Sequence, residues 1–218
     1  MNDLERKHYD FLIQENQKYN LTSITDLDEA YVKHFIDSYM LGNCFDLNNS
    51  ISICDVGSGA GFPGIALKLK YPNIKLTIIE SMNKRCLFLE ELVKTLGLND
   101  VNIICTRAED AKDLREKFDV VTARAVANLS ILMELCVPLV KVNGFFAPYK
   151  GSNYQEEIES SSKAAQTLGI KLDSIYEYNL NSSSGEDYGN HAIIKYLKIK
   201  ETDAKYPRPF SQIKKKSL

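Results

Sequence analysis

The sequence from Ile51 to Gly64 reads Ile-Ser-Ile-Cys-Asp-Val-Gly-Ser-Gly-Ala-Gly-Phe-Pro-Gly, and this stretch predicts the fold of the chain. A short apolar run that ends in an acid and is bounded by glycines is typical of a buried strand. Four glycines then fall within eight residues, and Pro63 stands where the first turn of a helix needs no amide donor. A strand, a glycine loop and a helix in this order let the backbone approach a nucleotide-like ligand closely.

Strand-like and helix-like segments alternate from Ile51 onward. This alternation predicts an α/β fold in which a mostly parallel sheet is covered on both faces by helices. Two late β-rich runs are joined by a polar turn too short for a helical crossover, so we expect an antiparallel hairpin. The predicted strands are 51–55, 75–80, 101–105, 118–122, 144–149, 171–180 and 191–199, and the predicted helices are 3–18, 28–42, 62–70, 84–96, 128–139 and 153–168.

The composition is that of an ordinary globular chain. Of 218 residues, 44% are hydrophobic and 26% are charged, which is enough for one sizeable core. The charged N-terminal residues lack the apolar region of a signal peptide, and no apolar run approaches the roughly 18 to 20 residues of a membrane helix. We therefore expect a cytoplasmic monomer with no membrane partner.

The cysteines and histidines predict no metal site. Five cysteines include no Cys-x-x-Cys pair, and the three histidines are far apart in the sequence. Four of the cysteines stand in apolar company, so we expect them to be small core residues in a reducing compartment.

The charge is unevenly distributed. The last 14 residues, from Lys205, hold five basic residues and no acid, which leaves 22 basic and 29 acidic residues in the rest of the chain. An acidic body with a basic tail suggests that a polyanion is met locally, although a solubilising, disordered tail is an equal alternative. We expect three parts: an N-terminal helical extension at 1–48, a main domain at 49–204 and the basic tail at 205–218.

Three ligands compete for the glycine loop. A phosphate-binding P-loop is excluded because no lysine follows the glycines at the required spacing. A dinucleotide fits the pattern Gly-x-Gly-x-x-Gly that begins at Gly59, with Glu80 placed 21 positions later for a ribose contact. S-adenosylmethionine is the third ligand.

Asp55 favours S-adenosylmethionine. A pyrophosphate beside this carboxylate would be repelled by about a few kcal/mol at an effective dielectric near 20. The ammonium and sulfonium groups of S-adenosylmethionine are cations that Asp55 would instead attract. The longer pattern, with Gly57, Gly59 and Gly61, also fits this cofactor. Glu80 would accept from its ribose, and Glu109 falls after the third strand, where the adenine edge would lie.

The combination of motifs resembles the bacterial small-subunit ribosomal RNA methyltransferase G family, also called glucose-inhibited division protein B. The resemblance covers nearly the whole chain, including Lys33-His34-Phe-Ile-Asp37-Ser38 near the N terminus. The motifs that carry it are Asp55-Val-Gly-Ser-Gly-Ala-Gly-Phe-Pro-Gly64, Ser81-Met-Asn-Lys84-Arg85, Arg107-Ala-Glu109, Thr122-Ala-Arg124-Ala-Val-Ala and Lys205-Tyr-Pro-Arg208.

This resemblance implies a Rossmann-like class I methyltransferase with about seven strands that transfers a methyl group from S-adenosylmethionine to N7 of a guanine in 16S rRNA. The implied partner is 16S rRNA or the small-subunit particle. The family often has Asp where this chain has Glu80, and the tail departs from the family's pattern after Arg208. The cofactor contacts implied by the motifs are Gly57, Phe62, Ala108, Glu109 and Arg124, beside Asp55, Gly59, Gly61 and Glu80 from the analysis above.

We expect Arg124 to bind the cofactor or the substrate and not to transfer a proton. Guanine N7 carries an in-plane lone pair and needs no general base, and the region after the fourth strand offers neither a cysteine nucleophile nor an Asn/Asp-Pro-Pro-Tyr loop. A guanidinium there would bind the cofactor carboxylate, a phosphate or guanine O6. Lys84, Arg85, Arg107 and Lys150, with the tail, are candidate RNA contacts. The alternatives are an NAD(P)-dependent oxidoreductase and a non-enzymatic RNA-binding assembly factor.

Overall fold

One mixed β-sheet of eight strands organises the molecule, in a computed structural model that describes residues 1–218. β1 to β5 run parallel to one another, and β8 runs antiparallel to the strands beside it. The strands are β1 (Ser52–Val56), β2 (Lys75–Glu80), β3 (Val101–Cys105), β4 (Phe118–Thr122), β5 (Val140–Phe146), β6 (Tyr149–Lys150), β7 (Ile170–Asn181) and β8 (Asp187–Lys198).

The strand order is β3-β2-β1-β4-β5-β8, with β7 on the far side of β8. β5 and β6 pair with the same side of β8 in one register, Phe146 opposite Tyr196 and Tyr149 opposite Ile193. The eight strands therefore occupy seven positions in the sheet. The predicted fold class, with its terminal antiparallel hairpin, is confirmed.

The chain reverses its direction across the sheet at β1, which has β2 on one side and β4 on the other. In open α/β sheets, ligands bind outside the carboxyl ends of the strands at such a point. The glycine loop follows β1 and Arg124 follows β4, so this crevice is the structural centre of the molecule.

Helices cover both faces of the sheet. The helices are α1 (Asp3–Tyr19), α2 (Leu27–Ala30), α3 (Asp37–Tyr39), α4 (Gly64–Lys70), α5 (Asn83–Leu96), α6 (Leu129–Cys136), α7 (Tyr154–Ser160), α8 (Ser162–Leu168) and α9 (Phe210–Lys215). One face carries α1, α4 and α5, whose apolar residues join Leu76 and Ile78 in one core. The other face carries α6, α8 and α9, which pack on Cys54, Val56 and Val121. No helix combines the length and apolar character that a bilayer crossing requires.

The predicted helix at 28–42 is wrong in its regularity. The chain is helical there, but a π-helical segment, Tyr31–Ile36, separates α2 from α3, and a 3₁₀ segment, Met40–Asn43, follows α3. In this wider helical turn, the carbonyl groups of Lys33 and His34 face Arg124, which donates to both. Such π segments recur at functional sites.

Two other predicted elements are interrupted. The strand expected at 144–149 begins earlier, at Val140, and stops at Phe146, because Pro148 has no amide for the sheet ladder. The helix expected at 153–168 breaks at Ser161, inside a run of three serines, which are weak helix formers.

The basic tail is packed against the body. Tyr206 and Ile213 are buried in the core that contains α6, and α9 lies on this helix. The disordered-tail alternative is therefore wrong for residues 206–213, because their apolar side chains have a core to join.

Candidate functional site

The glycine loop, residues 57–64, needs glycine for steric reasons. Gly57 and Gly61 have φ angles of +80° and +94°, a region that favours glycine. A Cβ on Gly57 would lie 2.7 Å from Val126, so the loop and the chain after β4 approach each other closely here. Gly59 has a φ of +57° and open space where a Cβ would stand, which leaves its backbone accessible to a ligand.

Asp55 supports the glycine loop from below. Its carboxylate is fully buried, and Oδ2 accepts from the amide of Gly64 at 2.8 Å. Oδ1 has no hydrogen-bond partner, and neither has the buried hydroxyl of Ser58. Burial raises the pKa of Asp55 to about 6. The structure therefore places Asp55 under the loop rather than at its surface.

Glu80 joins the loop to the end of β2. Its Oε2 accepts from the amide of Gly59 at 3.2 Å, and its Oε1 accepts from the amide of Met82 at 3.0 Å. The side chain is 3% exposed, and Arg85 lies 4.0 Å from Oε2. A carboxylate has about four lone-pair positions, so Glu80 can still accept from hydroxyl groups of a ligand.

Ala108 and Glu109 lie in a 3₁₀ turn after β3, at the same edge of the sheet as Glu80. Glu109 is nearly buried and pairs with Arg107, whose Nη1 lies 3.6 Å from Oε1. The turn also lines a small cavity against the C-terminal segment. The structure thus gathers the predicted cofactor residues after β1, β2 and β3 along one edge.

Phe62 is held between two histidines of the N-terminal helices. The rings of His8 and His34 stack on it, each with a centroid distance of 4.6 Å. His8 also bonds through Nε2 to the carbonyl oxygen of Ala60, at 2.9 Å, so α1 fixes the glycine loop directly.

Both histidines are neutral in this environment. Burial lowers the pKa of His8 to about 4. Burial, followed by the charge of Arg124, lowers the pKa of His34 to about 3. His34 Nε2 is 3.1 Å from the hydroxyl of Thr22, so the ring is held in place.

Arg124 is engaged by the N-terminal helices. Its Nη1 donates to Asp37 Oδ2 at 2.5 Å and to the carbonyl of Lys33 at 3.0 Å. Tyr178, on β7, donates to the other carboxylate oxygen of Asp37 at 2.6 Å. The side chains of Arg124 and Asp37 are 15% and 5% exposed, so this ion pair is largely buried.

A cleft of about 450 Å³ opens beside Arg124. It is bounded by the π-helical segment, the loop after β4, β6 and the hairpin strand β8. Its lining residues are Ile24, Lys33, His34, Asp37, Arg124, Ala125, Ala127, Tyr149, Lys150, Gly151, Glu157 and His191. No cysteine lines the cleft, and Ala125 holds a positive φ of +56° that turns the chain between Arg124 and Val126.

The candidate RNA contacts have different environments. Lys84 and Arg107 are exposed, and Arg85 is half-buried. Lys150 is 8% exposed and donates to Glu157 at 2.6 Å and to the carbonyl of Ala127 at 2.9 Å. Lys150, in β6, thus joins the loop after β4 to α7.

Sequence reasoning missed three partners of the site. Tyr178 and His191 come from the late hairpin, and His8 comes from α1, far from the loop in sequence. His34, Asp37 and Ser38 share a helix face in the sequence, and that spacing was the signal for the cluster. The spacing of these three residues does not indicate that Arg124 pairs with Asp37.

A family model and several relatives of similar sequence point to one protein family. The model of one protein family, described as rRNA small subunit methyltransferase G, matches residues 1–184. Proteins named ribosomal RNA small subunit methyltransferase G are 46% identical in Geobacillus sp. (strain WCH70), over 93% of this chain and 84% of the relative, and 46% identical in Bacillus subtilis (strain 168), over 92% and 84%.

Solved structures share the fold at low identity. M. jannaschii TYW2 in complex with AdoMet matches with a TM-score of 0.57 and 20% identity, covering 74% of this chain and 77% of that one. A SAM-dependent O-methyltransferase from Thermotoga maritima matches with a TM-score of 0.60 and 18% identity, covering 88% and 72%. These likenesses show the fold of the chain.

Proposed function

The chain belongs to the rRNA small subunit methyltransferase G family, and we propose that it transfers a methyl group from S-adenosylmethionine to N7 of one guanine in 16S rRNA. The observation that carries the proposal is the meeting of the glycine loop with Glu80, at 3.2 Å between Gly59 N and Oε2. This contact joins the backbone of the loop after β1 to a carboxylate acceptor at the end of β2, beside the crevice between β1 and β4.

The residues fit S-adenosylmethionine. Asp55 Oδ1 and the Ser58 hydroxyl lie near each other under the glycine loop, and neither bonds to any other protein group. The space above Gly59 admits a ligand against the backbone. The like charge of Asp55 also disfavours a pyrophosphate at the same place.

Each residue has a distinct proposed role. Glu80 accepts from the ribose hydroxyls, and the turn at Ala108 and Glu109 binds the adenine. The backbone from Gly57 to Gly61 receives the methionine part, with Asp55 beneath the loop and Phe62 packed at its end. When bound, the cofactor supplies an electrophilic methyl group on its sulfonium.

Arg124 is the residue that we assign to the reacting end of the site. Its Nη1 is used by Asp37 and two carbonyl groups, which fixes the guanidinium at the wall of the cleft. From there it can bind the carboxylate of the cofactor or guanine O6. In-line positioning without water can supply about 7 to 11 kcal/mol.

The cleft supports a reaction that needs no base. Two histidines line the cleft: His34 has a pKa lowered to about 3, mainly by burial, and is engaged by Thr22, and His191 lies 4.0 Å from the carboxylate of Asp37. No cysteine lines the cleft, so a covalent nucleophile of the kind used at pyrimidine carbons is lacking. Guanine N7 attacks the methyl group through its own lone pair, so this reaction requires neither a base nor a nucleophile from the residues that line the cleft.

The substrate is a guanine outside a regular duplex. The major-groove edge of duplex RNA, which contains N7, is too narrow for side chains to reach. We propose that its partner is 16S rRNA, either free or in the small-subunit particle. We also propose that the protein is a monomer and acts in the cytoplasm.

Two measurements test this function. Primer extension after N7-specific cleavage of 16S rRNA from a deletion strain should lose one stop that the complemented strain restores. Calorimetry should give binding to S-adenosylhomocysteine and none to NAD. An unchanged cleavage pattern, or binding to NAD alone, would overturn the proposal, and binding to neither would favour an assembly factor without activity.

A further inference from the structure

The C-terminal segment, residues 202–218, is anchored to the body by a buried ion pair. Arg208 donates to Glu134 through Nε at 2.7 Å and through Nη2 at 2.6 Å, and its amide adds a third bond at 3.0 Å. Glu134 lies on α6 and is fully buried. A bidentate pair fixes orientation as well as position. The segment is therefore held in one place relative to the sheet.

The same segment contacts both ends of the connection between β3 and β4, residues 107–115. At the first end, the guanidinium of Arg107 lies 6.0 Å from the centroid of the Phe210 ring. At the second end, Arg115 donates to the carbonyl of Tyr206 at 2.7 Å and to the carbonyl of Thr202. This connection contains the turn with Ala108 and Glu109.

Behind this turn lies a cavity of about 150 Å³. It separates the turn from the C-terminal segment, so close packing does not support the turn from that side. The turn packs on the core through Ala108 and Ala111, and on the side of the C-terminal segment it is held by the contacts at its two ends. The cavity is lined by Ala108, Glu109, Ala111, Lys112, Arg115, Pro138, Leu139, Ala204, Tyr206 and Pro207.

We propose that the C-terminal segment holds the turn at Ala108 and Glu109 in its adenine-binding position, with Arg208 and Phe210 as positioning residues. The inference rests on the proposed function, which assigns the adenine contact to this turn. Arg208 fixes the segment on α6. Phe210 then receives the guanidinium of Arg107, whose Nη1 is 3.6 Å from Glu109.

The positioning role is separate from the charge of the tail. Lys214 and Lys215 are exposed on α9 and make no hydrogen bond or ion pair through their side chains. A polyanion would meet these lysines, whereas the cofactor would depend on Phe210. One short helix thus serves two ligands through different residues.

The test uses Phe210→Leu, which keeps an apolar side chain and removes the aromatic face. Arg208→Ala is unsuitable because it leaves Glu134 buried and unpaired. We expect Phe210→Leu to weaken S-adenosylhomocysteine binding in calorimetry by about 2- to 5-fold, the size of one exposed cation–π contact. KM for S-adenosylmethionine should rise while KM for the small subunit stays constant. Phe210→Tyr, which keeps the ring, should restore the affinity.

Amide hydrogen exchange adds a readout local to the turn. The amides of Asp110 and Ala111 bond to the carbonyls of Arg107 and Ala108, at 3.0 and 3.3 Å, and should exchange faster in Phe210→Leu. The double variant Lys214→Ala/Lys215→Ala is the matched control on the same helix. It should keep the affinity for S-adenosylhomocysteine and lower the salt dependence of RNA binding.

The outcomes separate the two proposals. Wild-type protein that binds S-adenosylhomocysteine, with unchanged affinity and exchange in Phe210→Leu, overturns the positioning role alone. An equal loss of affinity in the double lysine variant also overturns it. Wild-type protein that does not bind S-adenosylhomocysteine overturns the proposed function and the positioning role together.

Discussion

The guanidinium of Arg124 lies 2.5 Å from the carboxylate of Asp37, a residue 87 positions earlier in the chain. This pair joins the N-terminal helical segment to the loop after β4, and Tyr178 attaches the late hairpin to the same carboxylate. The N-terminal helices are thus part of the proposed site, because they hold Arg124, which we assign to its reacting end.

Arg124→Ala should remove methyl transfer and also destabilise the protein by about 3 kcal/mol, because it leaves Asp37 buried without its cation. Adding Asp37→Asn removes the unpaired charge and should recover part of the stability but none of the activity. Urea unfolding and a methylation assay on small subunits measure the two effects separately.

The matched control is Lys141→Ala, which breaks the half-exposed pair with Asp119. We expect a loss below about 1 kcal/mol and normal activity. Near-normal turnover of Arg124→Ala/Asp37→Asn would contradict the role of Arg124.

Glu80→Gln should weaken S-adenosylhomocysteine binding by about tenfold, because a hydrogen bond to a charged acceptor contributes about 1.5 to 3 kcal/mol. The amide oxygen can accept from Gly59 or from Met82 but not from both, so one of the two hydrogen bonds to the loop is lost together with the charge. Calorimetry measures the affinity, and Glu90→Gln, an exposed position on α5, is the control. Equal affinities in both variants would argue against a ribose contact at Glu80.

Asp55→Asn should make the protein more stable at pH 8 by about 1 to 3 kcal/mol. Burial raises the pKa of Asp55 to about 6, and each unit of pKa corresponds to about 1.4 kcal/mol. Since the folded form binds an extra proton at Asp55 between about pH 4 and pH 6, the contribution of Asp55 to stability falls as the pH rises through this window and is then constant. Asparagine cannot titrate and still accepts from Gly64. Urea unfolding at pH 5 and pH 8 checks this, and parallel curves for the two proteins would refute it.

His8→Gln should flatten the acid side of the stability profile. Burial lowers the pKa of His8 to about 4, so the folded form excludes a proton that the unfolded form binds. The stability contributed by neutral His8 is complete above about pH 6.5 and is lost as the pH falls toward 4. Glutamine can donate to the carbonyl of Ala60 and does not titrate.

Over part of this pH range, Asp55 lowers stability as the pH rises, whereas His8 raises it. The quantity to measure is therefore the difference in the free energy of unfolding between His8→Gln and the wild type. Urea unfolding at pH 7.5, 6 and 5 gives it. If the difference does not change with pH, His8 is not the titrating group.

Much of the sheet could be predicted from local sequence. The bounds of β2, β3 and β4 match the predicted ranges, because β-branched and apolar runs between turn residues form strands wherever the chain folds. The π-helical segment, the break at Ser161 and the gap between β5 and β6 could not be predicted in the same way, because each depends on contacts or on backbone donors that the periodicity ignores.

The sequence by itself determined the α/β alternation, the glycine loop and the family, since these depend on residue types at short spacing. Only the tertiary structure decided the partners of Arg124, the stacking of His8 and His34 on Phe62, and the docking of Arg208 on Glu134. These contacts join residues that lie between 28 and 91 positions apart. Their geometry is set by how helices and loops pack on the sheet, and no local pattern carries that information.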